Sequence, residues 1–169
     1  MNVSTPVLIE VRKPGYFKRR YEFYLNDQQV AAIQVKKGWR NQATFFIGEK
    51  QWDIRCLGFW KRSFELTAQQ SPFTKQNIEY NWKYKMNFKD SSGNWYLFKK
   101  IGVWKALWCW IDEKGQPYIE MKSIHFSKQR RGQITLSRPA TEDIYLLMLL
   151  GWFQLITYEA QVAVAAAAS

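Results

Sequence analysis

Few residues in this chain of 169 could do covalent or metal chemistry. His125 is the single histidine, so a metal site built on paired imidazoles is excluded, and any Ser-His-Asp triad must use this residue. Ser123 and Ser127 flank it at two-residue spacing, which in a β-strand puts all three side chains on one face, not on a turn that presents a nucleophile. We expect an ordinary strand residue at His125, and no enzymatic activity, cofactor or metal.

The two cysteines, Cys56 and Cys109, lie far apart and form no C-x-x-C motif, so we expect free thiols in a cytoplasmic protein. The first residues lack the basic and apolar regions of a signal peptide. No glycine-rich phosphate-binding motif and no nucleophile elbow occurs. A cytoplasmic location follows as the expectation, with a peripheral position at the membrane as a variant of it.

The remaining chemistry is the binding of anions. The chain has 25 Lys and Arg against 14 Asp and Glu, a formal net charge of +11. From Pro139 onward it has no Lys or Arg at all, so the positive charge is concentrated in the preceding residues. Such an excess creates a positive field and favours an anionic partner, although it says nothing about the fold.

The best local candidate for an anion site is a predicted hairpin between Tyr80 and Lys100. A loop over 90–94 would place Lys89 opposite Trp95, Asn87 opposite Leu97, and Lys85 opposite Lys99. A one-residue slip in register would exchange Lys99 for Lys100. The predicted anion or lipid site therefore consists of Lys83, Lys85, Lys89, Trp95, Lys99 and Lys100. The alternative is a solvated basic face that protects the sheet against aggregation.

Secondary basic patches occur near predicted strand ends, where loops gather at the rims of a barrel. For each patch taken alone, a charged, solvated turn is the favoured explanation. The patches are Lys18, Arg19 and Arg20; Lys36, Lys37 and Arg40; and Lys128, Arg130 and Arg131.

Short aromatic and β-branched runs, separated by Gly, Asn, Asp and Pro, must position these residues. This pattern predicts an antiparallel all-β meander. The clearest alternation runs from Tyr80 to Lys89, with aromatic residues and Met86 on one face and Lys or Asn on the other. The predicted strands are 5–13, 19–26, 29–37, 42–48, 50–57, 61–69, 78–89, 94–100, 106–112, 117–126 and 131–137.

The last residues change to a helical pattern. Thr141 is a suitable N-cap, and Glu142 and Asp143 suit the first helical turn. From Ile144 to Ile156 only Gly151 and Gln154 are not apolar, so this helix needs a protein interior or a bilayer around it. About 20 apolar residues are needed to span a bilayer, which makes a transmembrane helix the less favoured alternative.

A closed barrel of about 11–12 strands is wide enough to hold one helix, whereas eight strands leave room only for side chains or a small ligand. The expected fold is therefore mainly β, a closed antiparallel barrel enclosing the hydrophobic C-terminal helix. We expect one domain over 1–169, with strands over about 5–137, a central helix over about 141–158 and an Ala-rich tail over 160–169. Gly151 would let a bulky inward side chain approach the helix.

This architecture resembles the tubby C-terminal-like superfamily, which includes tubby proteins, phospholipid scramblases and LURP-one-related proteins. The segment that carries the resemblance is the apolar helix start from Thr141 to Trp152. The resemblance implies a twelve-stranded barrel around a hydrophobic helix, and binding of phosphoinositides or other anionic lipids. The Pro-rich and Cys-rich N-terminal features of scramblases are missing, so lipid scrambling is not implied.

Three functions follow as hypotheses. The first is a non-enzymatic module that binds anionic phospholipid membranes through basic patches. The second is a single-stranded nucleic-acid-binding protein, because basic and aromatic residues that alternate on a sheet can contact phosphates and stack on bases. The third is a structural or interaction scaffold with no small ligand.

Overall fold

The computed structural model describes residues 6–15, 19–36, 42–57, 63–81, 83, 85–102, 107–124 and 130–168, with the backbone alone for 71–74 and Arg130. These residues form twelve β-strands followed by one α-helix. The strands are β1 Val7–Arg12, β2 Arg20–Leu25, β3 Gln28–Val35, β4 Gln42–Ile47, β5 Lys50–Leu57, β6 Ser63–Ala68, β7 Ser71–Glu79, β8 Met86–Lys89, β9 Trp95–Ile101, β10 Leu107–Asp112, β11 Pro117–Ser123 and β12 Arg130–Leu136, and the helix is α1 Glu142–Ala167.

All twelve strands belong to one antiparallel sheet in which neighbours in sequence pair, except β7 and β8, and β1 also pairs with β12. The sheet curls into a nearly closed barrel, so the mainly β fold predicted above is confirmed. Closure is incomplete between β7 and β8, the two ends of the strand order. Across this seam, the described contacts are the single bridge between Tyr80 and Met86 and a hydrogen bond from Gln76 Nε2 to the Lys89 carbonyl, at 2.8 Å.

The single strand predicted over 78–89 is wrong, because this segment is the end of β7, a tight connection and the short β8. Asn81 explains the break. Its Oδ1 accepts hydrogen bonds from the backbone N–H groups of Lys83 and Lys85, and its own N–H donates to the Lys85 carbonyl. Such local bonding offers the backbone an alternative to the ladder. The strand β7, which was not predicted before residue 78, tolerates Pro72 because it lies at the edge of the strand order.

Alternating side chains of the strands point inward and form the core. The largest fully buried side chains of the described residues include three tryptophans and six phenylalanines, which interlock through edge-to-face and stacked contacts. Two of these nine, Trp152 and Phe153, lie on α1. The other seven lie on strands: Trp108, Trp110, Phe23, Phe45, Phe64, Phe88 and Phe98.

The helix α1 begins as predicted. Thr141 is its N-cap, with Oγ1 accepting from the Ile144 N–H at 3.4 Å, and Glu142 and Asp143 occupy the first turn. From Ile144 to Leu155 all side chains but that of Tyr145 are buried. Trp152 contacts Phe23 on β2, and Phe153 contacts Phe45 on β4 and Phe64 on β6.

The predicted helix end near residue 158 is wrong, since α1 continues to Ala167. The segment expected to be an Ala-rich tail is helical, which agrees with the high helix propensity of alanine. At 1.5 Å per residue, its 26 residues extend about 39 Å, whereas strands of six to eight residues extend about 20–27 Å. The helix is therefore longer than the wall of the barrel.

Gly151 allows a close approach, as the sequence predicted. A Cβ atom at this position would lie 2.6 Å from Trp110 Nε1, 2.7 Å from Met121 Cε and 2.8 Å from Phe98 Cε2. These three residues belong to β10, β11 and β9, on the opposite side of α1 from the strands that Phe153 contacts. The buried half of α1 is thus packed between two parts of the sheet.

Candidate functional site

The connections between strands divide between two ends of the barrel, because consecutive strands are antiparallel neighbours. Connections 26–27, 48–49, 69–70, 90–94, 113–116 and 137–141 join strand ends at one end, which we call the turn end. Connections 13–19, 36–41, 58–62, 80–85, 102–106 and 124–129 join strand ends at the other. Because α1 starts at the turn end and runs toward this second end, we call the latter the exit end.

The two sets of connections have opposite compositions. The turn-end set has four acidic residues, two basic residues and no aromatic residue: Asp27, Glu49, Asp90, Glu113, Lys114 and Arg138. In sequence, the segments of the exit-end set contain no acidic residue and twelve basic ones, of which Lys13, Arg19, Lys36, Lys83 and Lys85 belong to the described residues. The other seven basic residues lie outside the described residues: Lys18, Lys37, Arg40, Lys61, Arg62, Lys105 and Lys128. The same segments contain ten aromatic residues in sequence, of which Tyr80 is described: Tyr16, Phe17, Trp39, Phe59, Trp60, Tyr80, Trp82, Tyr84, Trp104 and Phe126.

The helix adds an apolar element to the exit end. Residues 160–168 of the chain are exposed and uncharged, and Val162 and Val164 are among the large hydrophobic residues that the structure leaves exposed, at 48% and 49%. By length and composition α1 is the one helix of the described chain that could cross a membrane, and half of its most apolar 18-residue window is buried.

The structure separates the predicted hairpin site into two groups. The predicted register of the ladder is confirmed, with Lys89 opposite Trp95 and Asn87 opposite Leu97. The Lys89–Trp95 pair lies at the turn end, and Lys89 Nζ is 5.6 Å from the centre of the half-exposed Trp95 ring. The other four predicted residues lie toward the exit end: Lys83, Lys85, Lys99 and Lys100. Along β9, Lys99 is four residues from Trp95, or about 13 Å.

The predicted pairing of Lys85 with Lys99 is wrong, because the ladder between β8 and β9 stops at Met86 and Phe98. The turn built by Asn81 removes Lys85 from it. Lys99 instead lies beside Cys109 of β10 on the outer face. Lys100 belongs to the opposite face of β9, and its Nζ lies 5.3 Å from the centre of the Tyr158 ring on α1.

The secondary patches have different outcomes. Lys18, Lys37, Arg40 and Lys128 lie outside the described residues, as does His125, and the Arg130 side chain is not described. Arg20 pairs with Glu22 at 3.0 Å and Lys36 with Asp53 at 3.5 Å, so these two charges are partly compensated. Arg19 and Arg131, in contrast, line cavities at the exit end.

Two adjoining cavities flank α1 at the exit end. The first, about 550 Å³, lies between the ends of β2 and β3 and one face of the helix, and its lining includes Arg19, Val35, Phe153 and Val164. The second, about 350 Å³, is lined by Ser123, Arg131, Trp152 and Glu159, among others. Lys13, Tyr21 and Ile156 line both cavities, so the two are neighbours.

The electrostatics of this region suit an anion. Burial lowers the pKa of Lys13, and the positive charges of Arg131 and Arg19 lower it further. Burial also raises the pKa of Tyr21. Arg131 Nε and Trp152 Nε1 are buried donors without a hydrogen-bond partner. Sequence reasoning missed Lys13 and Trp152. Lys13 and Arg19 belong to the same connection, and counting connections that alternate between two ends would have assigned both residues to the exit end.

Elsewhere on the wall, charges neutralise one another. A shallow cavity of about 570 Å³ on the outer face contains Asp53 and Glu65 together with three basic residues. Arg55 pairs with Glu65 at 2.7 Å. Burial opposes ionisation of Asp53, but hydrogen bonds from Thr44 and Gln69 outweigh it, and its pKa is lowered. This surface therefore has no comparable excess of positive charge.

Both cysteines carry free thiols, and burial raises the pKa of Cys109 to about 11, so it is a poor nucleophile at neutral pH. Among the described residues, no three His, Cys, Asp or Glu side chains are grouped as metal ligands would be. In comparisons with family models, with curated proteins and with solved structures, the chain matches none.

Proposed function

We propose that this protein is a non-enzymatic module that binds membranes containing anionic phospholipids, with the exit end of its barrel facing the bilayer. The observation that carries the proposal is the contrast in charge. The sequence has twelve basic and no acidic residues in the segments between strands whose described ends meet at the exit end, against two basic and four acidic residues in the turn-end segments. A bilayer is a flat anionic partner that one end of a barrel can contact as a whole.

The residue types at the exit end fit the layers of a membrane surface. Lys and Arg each contribute about 1 kcal/mol near an anionic leaflet. Trp and Tyr are favoured at the level of the headgroups, because their rings are apolar with a polar atom at the edge. The exposed, uncharged last turns of α1 add apolar surface at this end. The proposal includes membership of the tubby-like superfamily, and by analogy with that superfamily phosphoinositides are candidate lipids. It also includes a cytoplasmic location at the membrane periphery.

The test is co-sedimentation with vesicles of phosphatidylcholine alone and with added phosphatidylserine or a phosphoinositide. We expect binding only to the anionic vesicles, and weaker binding at higher salt because the charges are screened. Comparable binding to neutral vesicles would contradict the proposal.

A matched pair of variants locates the binding surface. Lys83→Gln/Lys85→Gln removes two exposed charges at the exit end, and Lys89→Gln/Lys114→Gln removes two at the turn end. The first variant should lose about 2 kcal/mol of membrane affinity, roughly thirty-fold, and the second should bind as the wild type does. Equal losses in the two variants would mean that net charge, and not the exit end, determines binding.

Single-stranded nucleic acid remains the second candidate, and exposed Trp95 beside Lys89 is the observation that favours it. The location of this pair weakens the nucleic-acid hypothesis, because Trp95 lies at the turn end whereas the basic connections join strands at the exit end. Trp95→Ala should reduce oligonucleotide affinity if bases stack on this ring. An unchanged, low affinity would leave the membrane as the partner.

A further inference from the structure

The two cavities at the exit end differ in chemistry. In the first, α1 contributes a stripe that includes Ile156, Ala160, Ala163 and Val164, all on one helical face. From Ile156 to Val164 this stripe is about 12 Å long. The alanines are short, and Val35 of β3 also lines this cavity, so part of its wall is apolar, beside the polar side chains of Arg19, Thr157 and Gln161. Its volume of about 550 Å³ lies within the range of about 300–1,000 Å³ typical of ligand sites.

The second cavity has hydrogen-bond donors instead. Arg131 and Lys13 line it, and Arg19 lines the neighbouring first cavity, against Glu159 as the acidic residue among the described lining residues. Trp152 is 1% exposed, and its indole N–H has no partner; the Nε of Arg131 is likewise buried and unpaired. Both atoms are enclosed by the protein, so the charged groups that this cavity offers a ligand are the Lys13 and Arg131 side chains.

From this arrangement we infer a binding site for a single-chain anionic amphiphile, a long-chain fatty acid or a lysophospholipid with a phosphate head. The carboxylate or phosphate would pair with the Arg131 and Lys13 side chains, which line the second cavity. The acyl chain would lie in the first cavity along the Ile156 to Val164 stripe. Since Lys13, Tyr21 and Ile156 border both cavities, one molecule can occupy both.

The two parts of the ligand, the anionic head and the acyl chain, contact different parts of the site. A head alone would pair with the donors but leave the apolar stripe of α1 uncovered. A neutral amphiphile would cover the stripe but leave the like charges of Lys13 and Arg131 close together. Burial lowers the pKa of Lys13, and the charge of Arg131 lowers it further. Binding should therefore need the charge and the chain together. The inference deepens the proposed function by naming a lipid class, and it rests on that function only for the source of the ligand.

The experiment is calorimetric titration of the full chain with monomeric ligands below their micellar concentrations. The probes are oleate, oleoyl-lysophosphatidic acid, monoolein as the neutral chain and inorganic phosphate as the bare head. We expect oleate, the lysophosphatidic acid or both to bind at one per chain, and monoolein and phosphate to bind at least ten-fold more weakly. The better of the two anionic ligands identifies the head. No binding of either, or equal binding of monoolein, would overturn the inference.

Variants separate head from chain recognition. Arg131→Gln should weaken binding of the anionic ligand at least ten-fold, whereas Lys114→Gln at the turn end should not change it. If Arg131→Gln fails to fold, Ala163→Trp serves instead, because Ala163 lies on the exposed part of α1 and a large ring there fills the chain cavity. Binding that survives Ala163→Trp would overturn the inference. Vesicle binding without monomer binding would defeat this inference alone, and the reverse result would defeat only the proposed function.

Discussion

The turn end and the exit end of this barrel are built from different kinds of residue. At the turn end, Asn26 and Asp27 adopt positive φ in a two-residue turn, and the Asp112 side chain accepts from the backbone N–H groups of Lys114 and Gln116. The helix start is held there too, by Lys50 with Glu142 and Ser91 with Asp143. These residues serve the fold. The exit-end connections are basic and aromatic in sequence, and the proposed membrane binding depends on this composition.

An antiparallel meander makes such a division possible. Alternate connections return to the same end of the barrel. Six segments that are far apart in sequence can therefore bring similar residue types to one end, although no single segment forms a motif. The proposed function therefore depends on the order of the connections, which can be assigned to the two ends only when the strands are counted correctly.

The largest effect on stability is expected within α1, whose turn-end part is buried and whose exit-end part is exposed. Leu149, near the turn end of the helix, is fully buried, whereas Val162 in the exit-end part is 48% exposed. Leu149→Ala should lower the free energy of unfolding by about 2–5 kcal/mol, because it leaves a cavity in the core. Val162→Ala should change it by less than about 0.5 kcal/mol. Urea denaturation measures both, and similar losses would show that the exit-end part of the helix is also part of the core.

A smaller loss is expected where the buried half of α1 meets β9, β10 and β11. In Gly151→Ala the new Cβ would overlap the Trp110 and Phe98 rings. Overpacking costs about 1–3 kcal/mol, and alanine returns about 1 kcal/mol through helix propensity, so a net loss of up to about 2 kcal/mol is expected. In a Met121→Ala background, which removes one of the crowded atoms, Gly151→Ala should cost less than it does in the wild type. A stabilised Gly151→Ala protein would contradict the close packing of this side of the helix.

The smallest effect concerns acid sensitivity at the turn end. Burial opposes ionisation of Asp90, but hydrogen bonds from Asn94 and Tyr96 outweigh it and lower its pKa. A carboxylate with a lowered pKa stabilises the folded state above its unfolded pKa of about 3.9, and this contribution is lost as the pH falls through the folded value. Asp90→Asn should therefore flatten the fall in stability between about pH 4 and pH 2. An unchanged acid profile, measured by thermal unfolding, would place the sensitivity elsewhere.

Much of the fold was predictable because its determinants are local. Strand alternation, turn residues and the Thr141 cap act within a few residues, and an apolar helix beside about eleven strands implies that the strands surround it. The strand break at Asn81 was not predictable from alternation, because the side-chain bonding that turns the backbone leaves the aromatic and Lys pattern intact.

The candidate site was only partly predictable, and this one error explains why. Reading 78–89 as one strand joined Lys83 and Lys85 to Lys89 and Trp95, residues that belong to opposite ends. With β7 and β8 separate, the connections alternate correctly, and Lys13, Arg19 and Arg131 join Lys83 and Lys85 at the exit end. The two cavities depend on how far α1 extends beyond the wall, which required the helix end at Ala167.

The central claim, that the exit end faces an anionic bilayer, is tested most directly by the orientation of the bound protein. In a Cys56→Ser/Cys109→Ala background, an environment-sensitive fluorophore is attached at Val164→Cys in the exit-end part of α1 or at Ser92→Cys in the turn-end loop, both exposed. On addition of phosphatidylserine vesicles, the emission of the label at residue 164 should shift to that of an apolar environment, and the label at residue 92 should not respond. Equal shifts at both positions, or a shift at residue 92 alone, would contradict the account.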